Sequence, residues 1–187
     1  MKNVEPIRNL KKLEDFKSYL KAKHKKYFVM ATLGLNLGMR IGDILRIKVY
    51  DVYQKEQLEI IEEKTNKFRR NKLSKYLQDI INNFVEEENL SPDEYLIFSN
   101  KKGKNGEPKA ISRVQAYTVI REAAEAVGIK NIGTHSLRKT FGYHHYQKNH
   151  DVAILQQIFN HSAPSVTLRY IGINQDIINE SLTDFQL

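Results

Sequence analysis

Between Gly133 and Tyr170 the chain reads G-T-H-S-L-R-K-T-F-G-Y-H-H-Y, a polar run, I-F-N-H-S and then S-V-T-L-R-Y. This stretch holds five of the six histidines. His135 and Arg138 are three residues apart and share one face of a helix. Such a pair offers one phosphate both a proton acceptor and a planar cation. His161 and Tyr170, nine residues apart, bring a second imidazole and a phenol to the same place if a turn and a short helix separate them. In a basic chain, His, Arg and Tyr in this order point to phosphoryl transfer with a tyrosine nucleophile.

Upstream, G-M-R-I-G-D-I places Arg40 just after an apolar segment that ends at Gly38. An arginine among apolar residues is costly to bury without an anion. Two readings stay open: an ion pair with Asp43, or a cleft-facing Arg40 that binds phosphate with Asp43 orienting it. Residues 57–63 and 68–73 read as two strands around Lys64-Thr65-Asn66-Lys67, a hairpin by composition. Lys64, Lys67, Arg69, Arg70, Lys72 and Lys75 crowd into it, either as a solvated face or as a basic finger on a phosphate backbone with one lysine near the reacting group. The turn-rich loop 100–109 adds Lys101, Lys102 and Lys104, either as DNA contacts or simply as exposed residues.

The elements that must position these groups are mostly helical. Asn9, Ser74, Ser112 and Asp151 are candidate N-caps. The first helix carries Leu10, Leu13, Phe16 and Leu20 on one face; Y-F-V-M-A-T-L-G-L-N-L-G is apolar nearly all round, as a helix inside a core is. Leu77, Ile80, Ile81, Phe84 and Val85 form another stripe, and Val114, Tyr117, Ile120, Ala124 and Val127 a further one, closed by Gly128. Y-L-I-F-S at 95–99 reads as a short buried extended piece. A helix runs from about Thr134 to His150, and the next buries Ile154, Leu155 and Ile158. Asn160 can end that helix in the left-handed region, and Pro164 suits the first turn of a helix reaching Tyr170. The expected fold is α+β and mainly α-helical, with a small antiparallel hairpin.

Composition narrows the partners. Of 187 residues, 30 are Lys or Arg and 22 Asp or Glu, a net charge of +8 that favours a polyanion. The absence of cysteine excludes disulfides, thiolate chemistry and cysteine-zinc sites. No apolar run approaches the ~20 residues of a membrane span, and no signal-peptide core opens the chain. An intracellular protein without membrane contact is expected.

With those residues in view, the chain resembles the catalytic domain of the tyrosine recombinases, the phage-integrase family. G-M-R-I-G-D-I looks like that family's first arginine motif, K-T-N-K like its lysine-bearing hairpin, T-H-S-L-R-K-T like its His-x-x-Arg motif, and F-N-H-S followed by Tyr170 like its final box. Four motifs in order are far more specific than any one. The resemblance implies that Arg40 and Arg138 clamp the scissile phosphate, that Lys64 protonates the leaving 5′-oxygen, that His135 accepts the tyrosine's proton, that His161 donates to the phosphate and that Tyr170 is the nucleophile, with Asp43 in support. It implies double-stranded DNA as substrate, a 3′-phosphotyrosyl intermediate, no cofactor and no metal. It also implies a synaptic tetramer on DNA, with the stripe Ile177, Ile178, Leu182 and Phe185 as the candidate contact between copies. Family members generally carry an N-terminal clamp domain; nothing of that size precedes residue 38, so residues 1–187 are expected to be one catalytic domain. A type IB topoisomerase-like relaxing enzyme and a non-cleaving DNA-binding protein of the same fold are the alternatives. A metalloprotein built on His135, His144, His145, His150 and His161 would need carboxylate partners that the pattern lacks.

Overall fold

The computed structural model describes residues 4–173 together with Leu182, Thr183 and Phe185. Helix α1 (Leu10–Lys23) begins at Asn9, whose side chain accepts from the Lys12 amide, and helix α2 (Lys25–Leu37) ends at Gly38 in the left-handed conformation. Two single-turn helices follow, α3 (Ile41–Ile44) and α4 (Val49–Val52). Strands β1 (Gln57–Ile61) and β2 (Phe68–Lys72) pair antiparallel, with Leu58 opposite Asn71 and Ile60 opposite Arg69. The rest is helical: α5 (Lys75–Glu87), α6 (Arg113–Ala126), α7 (Thr134–Asn149), α8 (Val152–Phe159) and α9 (Pro164–Ile171). Ser74, Ser112 and Asp151 cap α5, α6 and α8 as their positions predict.

Helix α2 is the centre. Val29, Met30, Ala31 and Leu33 are all but inaccessible, and the helix packs against α1, α5 and α7. That explains its all-round apolar sequence. Phe16 and Leu20 from α1, Ile81 and Phe84 from α5, and Ile120 and Ala124 from α6 close the main core. Each such side chain, fully buried, stabilises the fold by roughly 1.5–3 kcal/mol. Segment 95–99 buries Leu96 and Ile97 completely, while the two pieces of backbone bridging at Lys48–Tyr95 and Phe98–Ala110 stay too short to be strands.

One expected inner face is rotated, and two others each lose one residue to solvent. In α6, Val114 is 74% and Tyr117 43% exposed, and the helix instead buries Ala116, Val119, Ile120, Ala123 and Ala124. Small alanine side chains allow α1 to approach closely, which outweighs burial of the larger residues. Leu10 of α1 and Ile154 of α8 likewise face solvent. A second, smaller core lies at one end, formed by Leu155, Phe159, Ile171 and Ile173 and flanked by Phe141, Tyr143 and Tyr146 of α7. Helix α7 therefore touches both cores.

Candidate active site

The site forms where α7 passes the end of α2 and the base of the hairpin. Gly38 reverses the chain after α2 at φ 59°, where side chains other than glycine are strained. A Cβ there would also meet Phe141. The reversal delivers Arg40 to the first position before α3. On α7, His135 and Arg138 do share a face. Together with Arg40, Asp43 and Lys64 they line one cleft of about 470 Å³, completed by Ile41, Gly42, Glu63, Arg113, Tyr117 and Thr134.

Arg138 is the most buried of these groups, at 2% exposure. Its guanidinium donates to the Gly38 carbonyl and, at 3.0 Å, to the Phe159 carbonyl, and it lies 4.4 Å from the Phe159 ring centroid. Burial and the neighbouring Arg40 and Arg69 push it down to about 10, against the opposing pull of Tyr170 and Glu62. Arg40 forms an ion pair with Glu62, Nη1 to Oε2 at 2.8 Å. Asp43, 4% exposed, accepts the Glu63 amide at 2.9 Å through Oδ1, so it holds the hairpin base to α3. Its other oxygen is buried without a hydrogen-bond partner.

On the far side of Arg138 stand His161 and Tyr170. Asn160, left-handed at φ 54°, ends α8 and turns the chain so that His161 faces back. The imidazole Nδ1 lies 3.0 Å from the fully buried Thr167 hydroxyl. With Nδ1 as acceptor, the imidazole carries its N–H at Nε2. Pro164 opens α9, and six residues later Tyr170 places its ring edge-on to His161 at 5.1 Å and to Phe159 at 5.5 Å. The Lys139 ammonium lies 5.3 Å from the Tyr170 ring centroid.

Cations predominate in the electrostatics around Arg138. Burial lowers the His161 pKa from its ordinary value, and Arg138 and Arg40 lower it further. Partial burial does the same to His135, reinforced by Arg138, Lys64, Arg40 and Lys139. Both imidazoles are therefore neutral at neutral pH. Burial raises the Tyr170 phenol above its ordinary value, while Arg138 and Arg40 pull it back. The phenol rests protonated.

All six sequence-derived candidates, Arg40, Lys64, His135, Arg138, His161 and Tyr170, thus gather around Arg138. Of the basic strip, Arg70, Lys72, Lys101, Lys102 and Lys104 are exposed. Lys104 lines an adjoining groove of about 560 Å³ with Arg46, Lys109 and Arg113. Lys67 reaches across to Asn160 Oδ1 at 2.7 Å, tying the hairpin turn to the His161 segment. Arg69 departs from the expected exposed strip. Its side chain, 13% exposed, turns inward to Glu62, Asn71 and the Leu37 carbonyl. The reason is strand alternation, which puts Arg69 and Asn71 on the inner face and Phe68, Arg70 and Lys72 on the outer. The remaining histidines do not converge: His144 bonds the Ile7 carbonyl at 2.9 Å, His145 packs on Phe141, and His150 is the left-handed cap of α7. Leu182 and Phe185 are 67% and 64% exposed; Ile177 and Ile178 lie outside the described residues. Glu62, Glu63, Arg113 and Thr167 belong to the site and carried no signal in the motifs.

Residues 8–176 match the sequence pattern described as the phage integrase family. The chain is 45% identical over 173 residues to the probable integrase/recombinase YoeC of Bacillus subtilis (strain 168), covering 92% of each. It is 26% identical over 168 residues to a tyrosine recombinase of Pseudothermotoga lettingae, covering 87% of this chain and 56% of that one. The fold superposes on the crystal structure of the XerH site-specific recombinase in a post-cleavage complex with palindromic difH substrate, at a TM-score of 0.72 and 20% identity, over 98% of this chain and 54% of that one. The chain thus spans nearly all of one relative and about half of the other two. From its first arginine motif to its final tyrosine, this chain belongs to the phage integrase family.

Proposed function

We propose that this chain is a site-specific DNA recombinase that cuts and rejoins double-stranded DNA through a tyrosine. The observation that carries the reading is that Arg138 joins two groups: it lines one cleft with Arg40, Lys64 and neutral His135, and it neighbours neutral His161 and the half-buried Tyr170 phenol. The Tyr170 oxygen attacks the scissile phosphorus and passes its proton to neutral His135. Arg40 and Arg138, with the His161 N–H, hold the nonbridging oxygens, whose charge grows in the transition state. These donors act there more than on the bound substrate. The bond to the 5′-oxygen breaks as Lys64 protonates it. A 3′-phosphotyrosine and a free 5′-hydroxyl result. One phosphodiester replaces another, so a hydroxyl from a second strand can reverse the step and complete the exchange.

The phenol sits among groups of its own chain, which favours cleavage by each copy in its own site. The exposed Arg70, Lys72, Lys101, Lys102 and Lys104 contact the DNA backbone, while inward-facing Arg69 braces the site. Strand exchange requires a synaptic tetramer, for which the segment bearing Ile177, Ile178, Leu182 and Phe185 is the contact between copies. The catalytic unit occupies residues 1–187 and works in the cytoplasm on nucleoid DNA.

A denaturing-gel assay with nicked suicide DNA substrates tests the reading. Wild type should form a covalent adduct and release a free 5′-hydroxyl, and Tyr170→Phe should form none while binding DNA equally well. An adduct surviving in that variant would overturn the assignment.

A further inference from the structure

The base of the lysine-bearing turn contains a carboxylate that phosphate chemistry does not call for. Glu62 is 4% exposed. A buried anion beside Arg40 competes with the phosphate that Arg40 must bind, and a buried charge is costly unless fully paired. Both of its oxygens have partners. Oε2 meets Arg40 Nη1 at 2.8 Å and also accepts the Thr65 hydroxyl at 2.7 Å. Oε1 meets Arg69 Nη1 at 3.4 Å. Burial alone would raise this carboxyl's pKa; Thr65, Arg40 and Arg69 outweigh it and hold the group ionised. The backbone of the same residue closes the turn: the Glu62 amide donates to the Lys67 carbonyl at 2.9 Å and the Asn66 amide to the Glu62 carbonyl at 2.8 Å.

We propose that Glu62 is a positioning residue that couples Arg40 to the Lys64 turn: one carboxylate oxygen fixes the arginine and, through Thr65, the residue that follows the lysine. Lys64 itself is exposed and carries its ammonium on a flexible four-carbon stem. Without a brace it would wander by distances that matter, since a misplacement of ~1 Å can cost about 10²-fold in rate. The brace is electrostatically unfavourable for phosphate binding and favourable for orientation. A guanidinium has five N–H donors, so the contact of Nη1 with Glu62 leaves Arg40 donors for the phosphate.

The inference rests on Lys64 protonating the leaving oxygen, and the test separates the two. Cleavage rates are measured on ordinary DNA and on DNA whose scissile 5′-oxygen is replaced by bridging sulfur, which leaves as a thiolate without a proton. Lys64→Ala should lose ~10²–10³ on the oxygen substrate and recover on sulfur. Thr65→Val should lose about tenfold on oxygen, the worth of one hydrogen bond, and recover on sulfur, while Thr65→Ser stays near wild type. Glu62→Gln should recover only in part, because its effect on Arg40 persists with either leaving group. DNA affinity should be unchanged for the Thr65 variants. Equal loss on both substrates, or a Thr65→Val rate like wild type, would overturn the coupling while leaving the functional reading intact. A wild-type chain that forms no adduct on either substrate would overturn the functional reading, and the coupling with it.

Discussion

The two cores of this molecule do different work. The main one, built around α2, supports Arg40 and Arg138 from many fully buried side chains contributed by α1, α5, α6 and α7. The smaller one supports His161 and Tyr170 on Leu155 and Phe159 of α8, Ile171 of α9 and Ile173 just beyond it. The two guanidiniums proposed to clamp phosphate thus stand on the thick part of the fold, and the proposed nucleophile, with His161 beside it, on the thin part. A preorganised clamp lowers the barrier only while it stays fixed, whereas a nucleophile must approach, bond and withdraw. Free energy of local opening follows buried apolar contact, so α8 and α9 should open well before the rest.

The largest test of this contrast compares two phenylalanines, each with no exposed surface, one in each core. Phe→Ala at such positions costs about 3–5 kcal/mol. Phe16→Ala should lower the melting temperature of the whole chain. Phe159→Ala should abolish hydrogen-exchange protection in α8 and α9 and suppress the covalent adduct, while α1, α2 and α5 stay protected. If both variants lose protection everywhere together, the two cores are one cooperative unit and the contrast fails.

Two glycines sharpen it at the seams. A Cβ on Gly142 would come within 2.6 Å of Ile171 and 2.7 Å of Phe159, the contact by which α7 holds the smaller core. Gly142→Ala should push that unit outward and slow cleavage on the order of 10²-fold, with little change in melting temperature. A Cβ on Gly34 would lie 3.0 Å from Leu137 Cβ inside the main core, so Gly34→Ala should lower stability by about 1–3 kcal/mol. The paired measurements are adduct formation rate and thermal unfolding.

The smallest effect is in pH. His135 and His161 both titrate below the ordinary 6.5 in the folded chain. In the window just beneath 6.5 the unfolded chain binds more protons, so stability is fully present above that pH and declines as pH falls through it. Cleavage, which needs neutral imidazoles, should persist below 6.5 and fail only at the depressed folded values. NMR titration of the two rings checks this, and a ring titrating at or above 6.5 would break it.

Local chemistry was readable from sequence and tertiary adjacency was not. The caps at Asn9, Ser74, Ser112 and Asp151, the left-handed ends at Gly38 and Asn160, and Pro164 at the start of α9 each depend on a few neighbouring residues. The same holds for the His135–Arg138 spacing on α7. Glu62 and Arg113 lie far along the chain from His135, and nothing near either marks it as part of the cleft. Thr167 stood unremarked between His161 and Tyr170, because its role lies in its approach to the imidazole. Arg69 could have been found: Leu58 and Ile60 mark the inner face of β1, and period-two alternation in β2 sets Asn71 and Arg69 opposite them. Counting charges across the hairpin masked that alternation. The helix phase that differs at Val114 reflects a choice of neighbours that single-helix periodicity does not encode, whereas Leu10 is exposed as the first residue of a helix whose phase holds.

Arg138 bonds the carbonyl of Gly38, which caps α2, and that of Phe159, the last residue of α8. It therefore sits where the partial negative charges of two helix C-termini meet. This gives the residue two separate reasons to persist over evolutionary time. In a lineage that gave up the proposed chemistry, Tyr170 could drift early, because the ring is only partly buried and its loss would cost, besides chemistry, its edge contacts to Phe159 and His161. Arg138 would be retained long afterwards, since losing it unties two helices from each other. Among inactive descendants, the order of decay should run from nucleophile to clamp, and sequencing such lineages would show whether it does.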